Sequence, residues 1–135
     1  QQLVLPALSQ GRIVILDRYF YSTIAYQGTR AGGDPAAVRR TMESLFPAPD
    51  LVLWLDLPPD LALRRITAHR GEVPNEFERH EGLEQARAVF QSLAGGHFRR
   101  IDASLDAAAM SAAVWETVLQ PIQAKLPSQY ARLTG

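Results

Sequence analysis

The stretch Asp17-Arg18-Tyr19-Phe20-Tyr21-Ser22-Thr23-Ile24-Ala25-Tyr26-Gln27-Gly28 holds the most chemically suggestive residues of the chain. It follows directly on the apolar run Arg12-Ile13-Val14-Ile15-Leu16. A carboxylate and a guanidinium at the end of a buried strand are costly unless they are solvated, paired or bound to a ligand. Neighbouring side chains at a strand end point to opposite sides, so one of the pair can face a metal or phosphate while the other reaches a separate anion. If the following segment is helical, Thr23 stacks with Gln27 and Ser22 with Tyr26. That makes a wall of hydroxyls, an amide and a phenol beside an arginine, which can read a base and a sugar while the arginine clamps a phosphate. For Asp17 and Arg18 alone, a structural ion pair capping the next helix is the better account. The whole run favours a ligand, because Ser, Thr, Gln and Tyr together pack a core poorly.

Three apolar runs must position these groups. Arg12–Leu16 ends at Asp17, Leu51–Leu55 ends at Asp56, and Phe98–Ile101 ends at Asp102. The first two are continuously hydrophobic and predict strands buried on both faces of a parallel sheet. The third is weaker and suits a place near an edge. Open α/β sheets bind their ligands at the carboxyl ends of strands, where the three aspartates fall. Helices are predicted between them. Asp34 and Pro35 open one through Phe46, Pro58-Pro59-Asp60 starts another over Leu61–His69, and Leu83–Leu93 stops at Gly95-Gly96. Asp106 caps a final helix over Ala107–Leu126, in which Pro121 implies a kink or an early break. The alternation predicts one α/β domain over residues 1–135 with a three-layer, parallel, doubly wound sheet. A helical bundle is the less favoured alternative.

Composition narrows the field. The chain has 135 residues, 47% hydrophobic and 21% charged, a globular balance that fits a single core. Formal net charge is +0, which gives no electrostatic reason to expect nucleic acid or an anionic membrane. Cysteine is absent, excluding disulfides, thiolate-bound zinc and thiol catalysis. No apolar run approaches the roughly 20 residues of a membrane span, and no signal peptide opens the sequence, so a cytoplasmic setting is expected. His69, His80 and His97 share no ligand spacing and read as surface or helix-end residues. Trp54 and Trp115 read as core or interface, and Arg39-Arg40 as a solvated face. The sequence opens at Gln1, and QQLVLPALSQG looks like the last turns of a helix closed by Gly11. A trimmed or incomplete part of a longer protein is therefore expected.

The string DRYFYSTIAYQG resembles the signature of the thymidylate kinase family, an Asp-Arg-Tyr/His element followed by a Ser-Thr-x-Ala-Tyr-Gln-Gly run. Pro49-Asp50-Leu51-Val52-Leu53-Trp54-Leu55-Asp56-Leu57-Pro58-Pro59 is similar to the family's strand leading into its lid helix. Ile101-Asp102-Ala103-Ser104 resembles the loop that packs near adenine. The likeness runs from about Pro6 into the last helix. It implies a P-loop kinase fold and transfer of the γ-phosphoryl group of ATP to dTMP, with Mg2+ and in a homodimer. It further implies that Arg18 contacts the dTMP phosphate and that Asp17 organises the metal. Thr23 and Gln27, with Ser22 a weaker candidate, would approach the base or sugar, and Tyr26 would pack under the deoxyribose. Arg65 and Arg70 would reach the transferring phosphates, and Arg65, Asp102 and Ala103 would line the ATP side. Arg65 and Arg70 read equally well as solvated helix-face residues.

Two departures from the family pattern are visible. The lid reads Asn75-Glu76-Phe77-Glu78 where the family carries Asp-Arg, with Arg79 a substitute only by a shift of register. No GxxxxGK[ST] loop occurs and the only lysine is Lys125, so the 135 residues alone are expected to be inactive. The alternatives are a kinase for another nucleoside or pyrimidine monophosphate, and a catalytically silent domain that binds a nucleotide or a partner.

Overall fold

A computed structural model describes residues 3–29, 33–70, 79–93 and 95–134, the side chains of residues 69 and 70 excepted. The expected end of a first helix is present. Helix α1 (Val4–Ser9) closes at Gly11, whose φ of +68° is a left-handed conformation open to glycine without penalty. The amides of Gly11 and Arg12 donate to the carbonyls of Leu8 and Ala7 at 2.9 and 3.1 Å.

The run Arg12–Leu16, predicted as a buried strand, forms none. Ile13, Ile15 and Leu16 are exposed, Ile15 to 90%. The sheet of the described residues has two strands, and neither pairs with this run. β-branched residues supply a preference for extended structure, whereas the ladder that makes a strand is supplied by a neighbour.

Helix α2 (Tyr21–Gly28) is followed by α3 (Pro35–Leu45), where Asp34 accepts a 2.9 Å hydrogen bond from the Ala36 amide and Pro35 occupies the first turn, as predicted. Strand β1 (Val52–Asp56) leads into α4 (Pro59–Arg70). Helix α5 (His80–Ser92) precedes β2 (Phe98–Asp102), with Gly95 and Gly96 both at positive φ in the connection. Helix α6 (Ala107–Lys125) starts on the predicted cap, Asp106 accepting from the Ala109 amide at 2.8 Å. Pro121 lies inside α6 without breaking it, and a further helix, α7 (Pro127–Thr134), follows.

β1 and β2 pair in parallel, in register from Val52 with Phe98 to Asp56 with Asp102. Both aspartates therefore sit within the ladder rather than beyond it. β1 is not buried on both faces: Leu55 is 51% exposed, while Trp54 on the other face stacks on Phe90 of α5. Trp115 is 46% exposed on α6 and is not a core residue.

The main core is built around α2. Phe20, Tyr21, Ile24 and Ala25 pack with Ala86, Val89 and Leu93 from α5 and Phe98 from β2, and Val38 and Met42 of α3 lie against them.

Candidate functional site

Helix α2 is two-faced. Tyr21, Ile24, Ala25 and Gly28 follow the i, i+3, i+4, i+7 spacing and are all buried, Ile24 completely. That stripe leaves Ser22, Thr23, Tyr26 and Gln27 off the buried face, the first three half-buried, with Tyr26 also packed against the edge of the core, and Gln27 exposed. The stacking predicted from spacing is thus enforced by the core on the other side. Gly28 ends the stripe where α3 begins. A Cβ there would lie 2.6 Å from the Cα of Pro35 and 2.9 Å from its Cβ, so only glycine permits this approach.

The turn before α2 replaces the strand end expected there. Arg18 has φ +65° and Tyr19 φ +46°, both left-handed and both non-glycine. Each costs about 1–2 kcal/mol. The Tyr19 amide donates to the carbonyl of Asp17 at 2.8 Å, which closes the turn around Arg18. Asp17 and Arg18 are exposed, and the guanidinium carbon of Arg18 lies 5.5 Å above the ring of Tyr26. The structure thereby brings Arg18 onto the outward face of α2, in cation–π contact.

Two tyrosines that sequence reasoning left without roles fix this region. The Tyr19 hydroxyl donates to the carbonyl of Pro47 at 3.2 Å, and its ring packs against Phe20 and Phe46. Burial raises its pKa. Tyr21 is buried, its hydroxyl 2.9 Å from Nε2 of His97, which ties α2 to the approach of β2. Burial raises the Tyr21 pKa, and the Glu43 carboxylate adds to the effect.

The strand-end aspartates are engaged by protein partners. Asp56 is 1% exposed; Arg87 donates to its two oxygens at 2.7 and 2.9 Å, and Arg100 donates to Oδ2 at 2.6 Å. The hydrogen bond from Arg87, with that of Arg100, holds the carboxyl below its usual range although burial pushes the other way. The expectation that this strand end faces a ligand is corrected: the buried carboxylate of Asp56 is the hub of an ion-pair triad whose two arginines remain partly exposed. A signal was present in the sequence, since Arg87 lies on the apolar stripe of its helix, four residues after Leu83 and three before Phe90.

Asp102 accepts from the Ser104 hydroxyl at 2.6 Å and amide at 2.8 Å, and these bonds hold its carboxyl below the usual range. Ala103 is buried; its amide donates to the carbonyl of Asp56, and its own carbonyl accepts from Nη1 of Arg65 at 2.9 Å. Arg65, Asp102 and Ala103 thus meet at the carboxyl end of β2. The side chain of Arg70 and the lid residues Asn75, Glu76, Phe77 and Glu78 lie outside the described residues. Arg79 is exposed at the start of α5.

Among the described residues no group of three or more His, Cys, Asp or Glu is placed to hold a metal ion. His80 lies 3.0 Å from Asp60 and 3.7 Å from Glu84 at the start of α5. An open cavity of about 190 Å3 lies between α4 and α5, lined by Pro59, Glu84, Arg87, Ala88 and Gln91, none of them a residue of the α2 face.

The thymidylate kinase family model matches residues 1–114, which takes in the Arg18 turn, all of α2, both strands and the Arg65–Ala103 contact. The chain belongs to the thymidylate kinase family. It is 50% identical over 107 residues to a thymidylate kinase of Xanthomonas campestris pv. campestris (strain B100), covering 79% of this chain and 46% of that protein. It is 48% identical over 105 residues to a thymidylate kinase of Xanthomonas oryzae pv. oryzae (strain PXO99A), with 78% and 45% covered. A thymidylate kinase of Akkermansia muciniphila is 47% identical over 103 residues, with 76% and 48% covered. The chain spans about half the length of these curated relatives. The family match stops within α6, so α7 and the exposed Trp115 lie beyond it.

Proposed function

We propose that this chain supplies the monophosphate-binding side of a dTMP kinase, with Arg18 as the ligand of the dTMP phosphate. The observation that carries this reading is the position of the Arg18 guanidinium over Tyr26, on a helix face otherwise made of Ser22, Thr23 and Gln27. A fixed cation beside hydroxyls, an amide and an aromatic ring suits an anionic sugar carrying a flat base. Thr23 and Gln27 would bind the base or sugar, with Ser22 beside them. Tyr26 would pack under the deoxyribose, where a 2′-hydroxyl is crowded. The rest of the reading is a three-layer P-loop kinase fold in a cytoplasmic homodimer, which sedimentation of the chain tests for the dimer.

In the proposed reaction a phosphate oxygen of dTMP bonds to the γ-phosphorus of ATP, and the bond to the β–γ bridging oxygen breaks, giving dTDP and ADP. Arg65, Asp102 and Ala103 would form the ATP side. Arg65 spends one N–H on the Ala103 carbonyl and keeps further donors for phosphate oxygens, with Arg70 as its companion in the closed state. Asp17 is an exposed carboxylate beside Arg18 and fits Mg2+ as one hard oxygen donor, the rest coming from water and phosphate. The chemistry a Mg2+ held there would supply is neutralisation of charge on the phosphate oxygens. The 135 residues contain no GxxxxGK[ST] loop, so by themselves they bind dTMP without turning it over.

Calorimetric titration of the chain with dTMP, thymidine and 5-methyluridine monophosphate tests the reading. The expected order is dTMP tighter than either of the others. Arg18→Ala weakens dTMP roughly 10- to 100-fold, the worth of a charge-assisted contact, and leaves thymidine unchanged. A wild-type chain blind to the phosphate, or an Arg18→Ala variant with unaltered dTMP affinity, contradicts it.

A further inference from the structure

Arg18 and Tyr19 form two consecutive left-handed residues, neither of them glycine, immediately before a helix whose inner face is buried. Such a conformation persists only where its surroundings over-determine it. The Arg18 side chain does not supply the anchor on the core side, because it points out over Tyr26. Tyr19 does. Its ring centre lies 4.6 Å from that of Phe20, 6.0 Å from Phe46 and 6.5 Å from Tyr21, and its hydroxyl reaches the Pro47 carbonyl 28 residues away. Its amide closes the three-residue turn on Asp17. The contacts form one continuous path, from the segment after α3 through Tyr19 and the turn to Arg18 and the Tyr26 ring.

We propose that Tyr19 is the positioning residue of the site: by pinning the strained turn to Pro47 and the Phe20–Phe46 cluster, it holds the Arg18 guanidinium at the place where the monophosphate binds. This inference rests on the reading of Arg18 as the phosphate ligand, and its test separates the two. The ring and hydroxyl contacts of Tyr19 run to Phe20, Tyr21, Phe46 and Pro47, none of them a residue of the proposed substrate face. It acts through the backbone of its neighbour. Rings anchor more than the hydroxyl does, since three aromatic neighbours surround Tyr19 and its hydrogen bond is long.

The test compares Tyr19→Phe, Tyr19→Ala and Tyr19→Leu in the full chain. In the ligand-free protein the Arg18 side-chain protons lie over an aromatic face and are shifted upfield by its ring current; Tyr26→Leu gives the reference without that ring. Tyr19→Ala moves the Arg18 resonances to the Tyr26→Leu values, and Tyr19→Phe keeps them near wild type. In binding, Tyr19→Ala weakens dTMP about tenfold or more while thymidine stays within about twofold, because only the phosphate contact is misplaced. Tyr19→Leu, which keeps apolar volume without the ring, carries the same comparison if melting shows that Tyr19→Ala does not fold. Wild-type Arg18 shifts in both ring-free variants overturn the proposal, as does an equal loss of dTMP and thymidine, the mark of a merely structural residue. A wild-type chain that binds neither ligand contradicts the reading of Arg18, and the resonance comparison alone then decides the role of Tyr19.

Discussion

At the residue scale the carboxylate of Asp56 accepts from two guanidinium groups while nearly sealed from water, and its acid–base behaviour follows. The unfolded carboxyl takes up a proton near pH 4. The folded one, held by Arg87 and Arg100, does so only at lower pH. Its contribution to stability is therefore complete above about pH 4 and is lost as pH falls through the folded value. Asp56→Asn keeps the shape and removes the charge that both arginines face. Because Arg87 and Arg100 are partly exposed and recover water, the expected cost at pH 7 is about 1–3 kcal/mol, below that of a fully buried orphan charge. Thermal melts at pH 7 and pH 3 check this: the variant loses less stability between the two than the wild type does, Asp102 acting in both, and equal losses contradict the triad's role. Asp34 and Asp106 were legible as caps because a cap is a local event within three residues. For Asp56 the sequence carried only the hint of Arg87 on an apolar helix stripe; the pairing itself was not legible, because the partners lie 31 and 44 residues away and a strand-end aspartate looks the same whether it meets a ligand or an arginine.

At the scale of elements, helices were more legible than strands. A helix carries its own hydrogen bonds, so periodicity, Asp-Pro starts and glycine stops located α3, α5 and α6 closely. A strand borrows its bonds from a neighbour. Leu51–Leu55 and Phe98–Ile101 found each other, whereas Arg12–Leu16, the most β-branched of the three, has no strand partner among the described residues. The polar wall of α2 was legible because its spacing follows the apolar stripe behind it. The left-handed turn at Arg18 was not, since nothing in Asp-Arg-Tyr demands positive φ. The junction of α2 with α3 offers a direct test. Gly28→Ala should gain about 1 kcal/mol of helix propensity. The new methyl meets the Pro35 backbone at 2.6 Å, which the backbone cannot yield, and overpacking costs about 1–3 kcal/mol. Net destabilisation with weakened dTMP binding is expected in denaturant melts and titrations. A more stable variant would show that α2 and α3 are not packed this way.

At the scale of the molecule the family was readable from one string of twelve residues, and the comparisons place that string inside a match over residues 1–114. The sequence pattern also foretold which face of α2 is polar, but not that Asp56 and Asp102 are held by the protein itself. The proposed seat of a pyrimidine deoxynucleotide monophosphate is the outward face of α2, with Arg18 laid across it. Amide and arginine resonances of the whole chain, followed while dTMP is added, test this most directly. The account predicts saturable shifts that are largest at Arg18, Ser22, Thr23, Tyr26 and Gln27. Shifts centred instead on the α4–α5 cavity of Pro59, Glu84, Arg87, Ala88 and Gln91, or no shift at Arg18 at saturating dTMP, would contradict it.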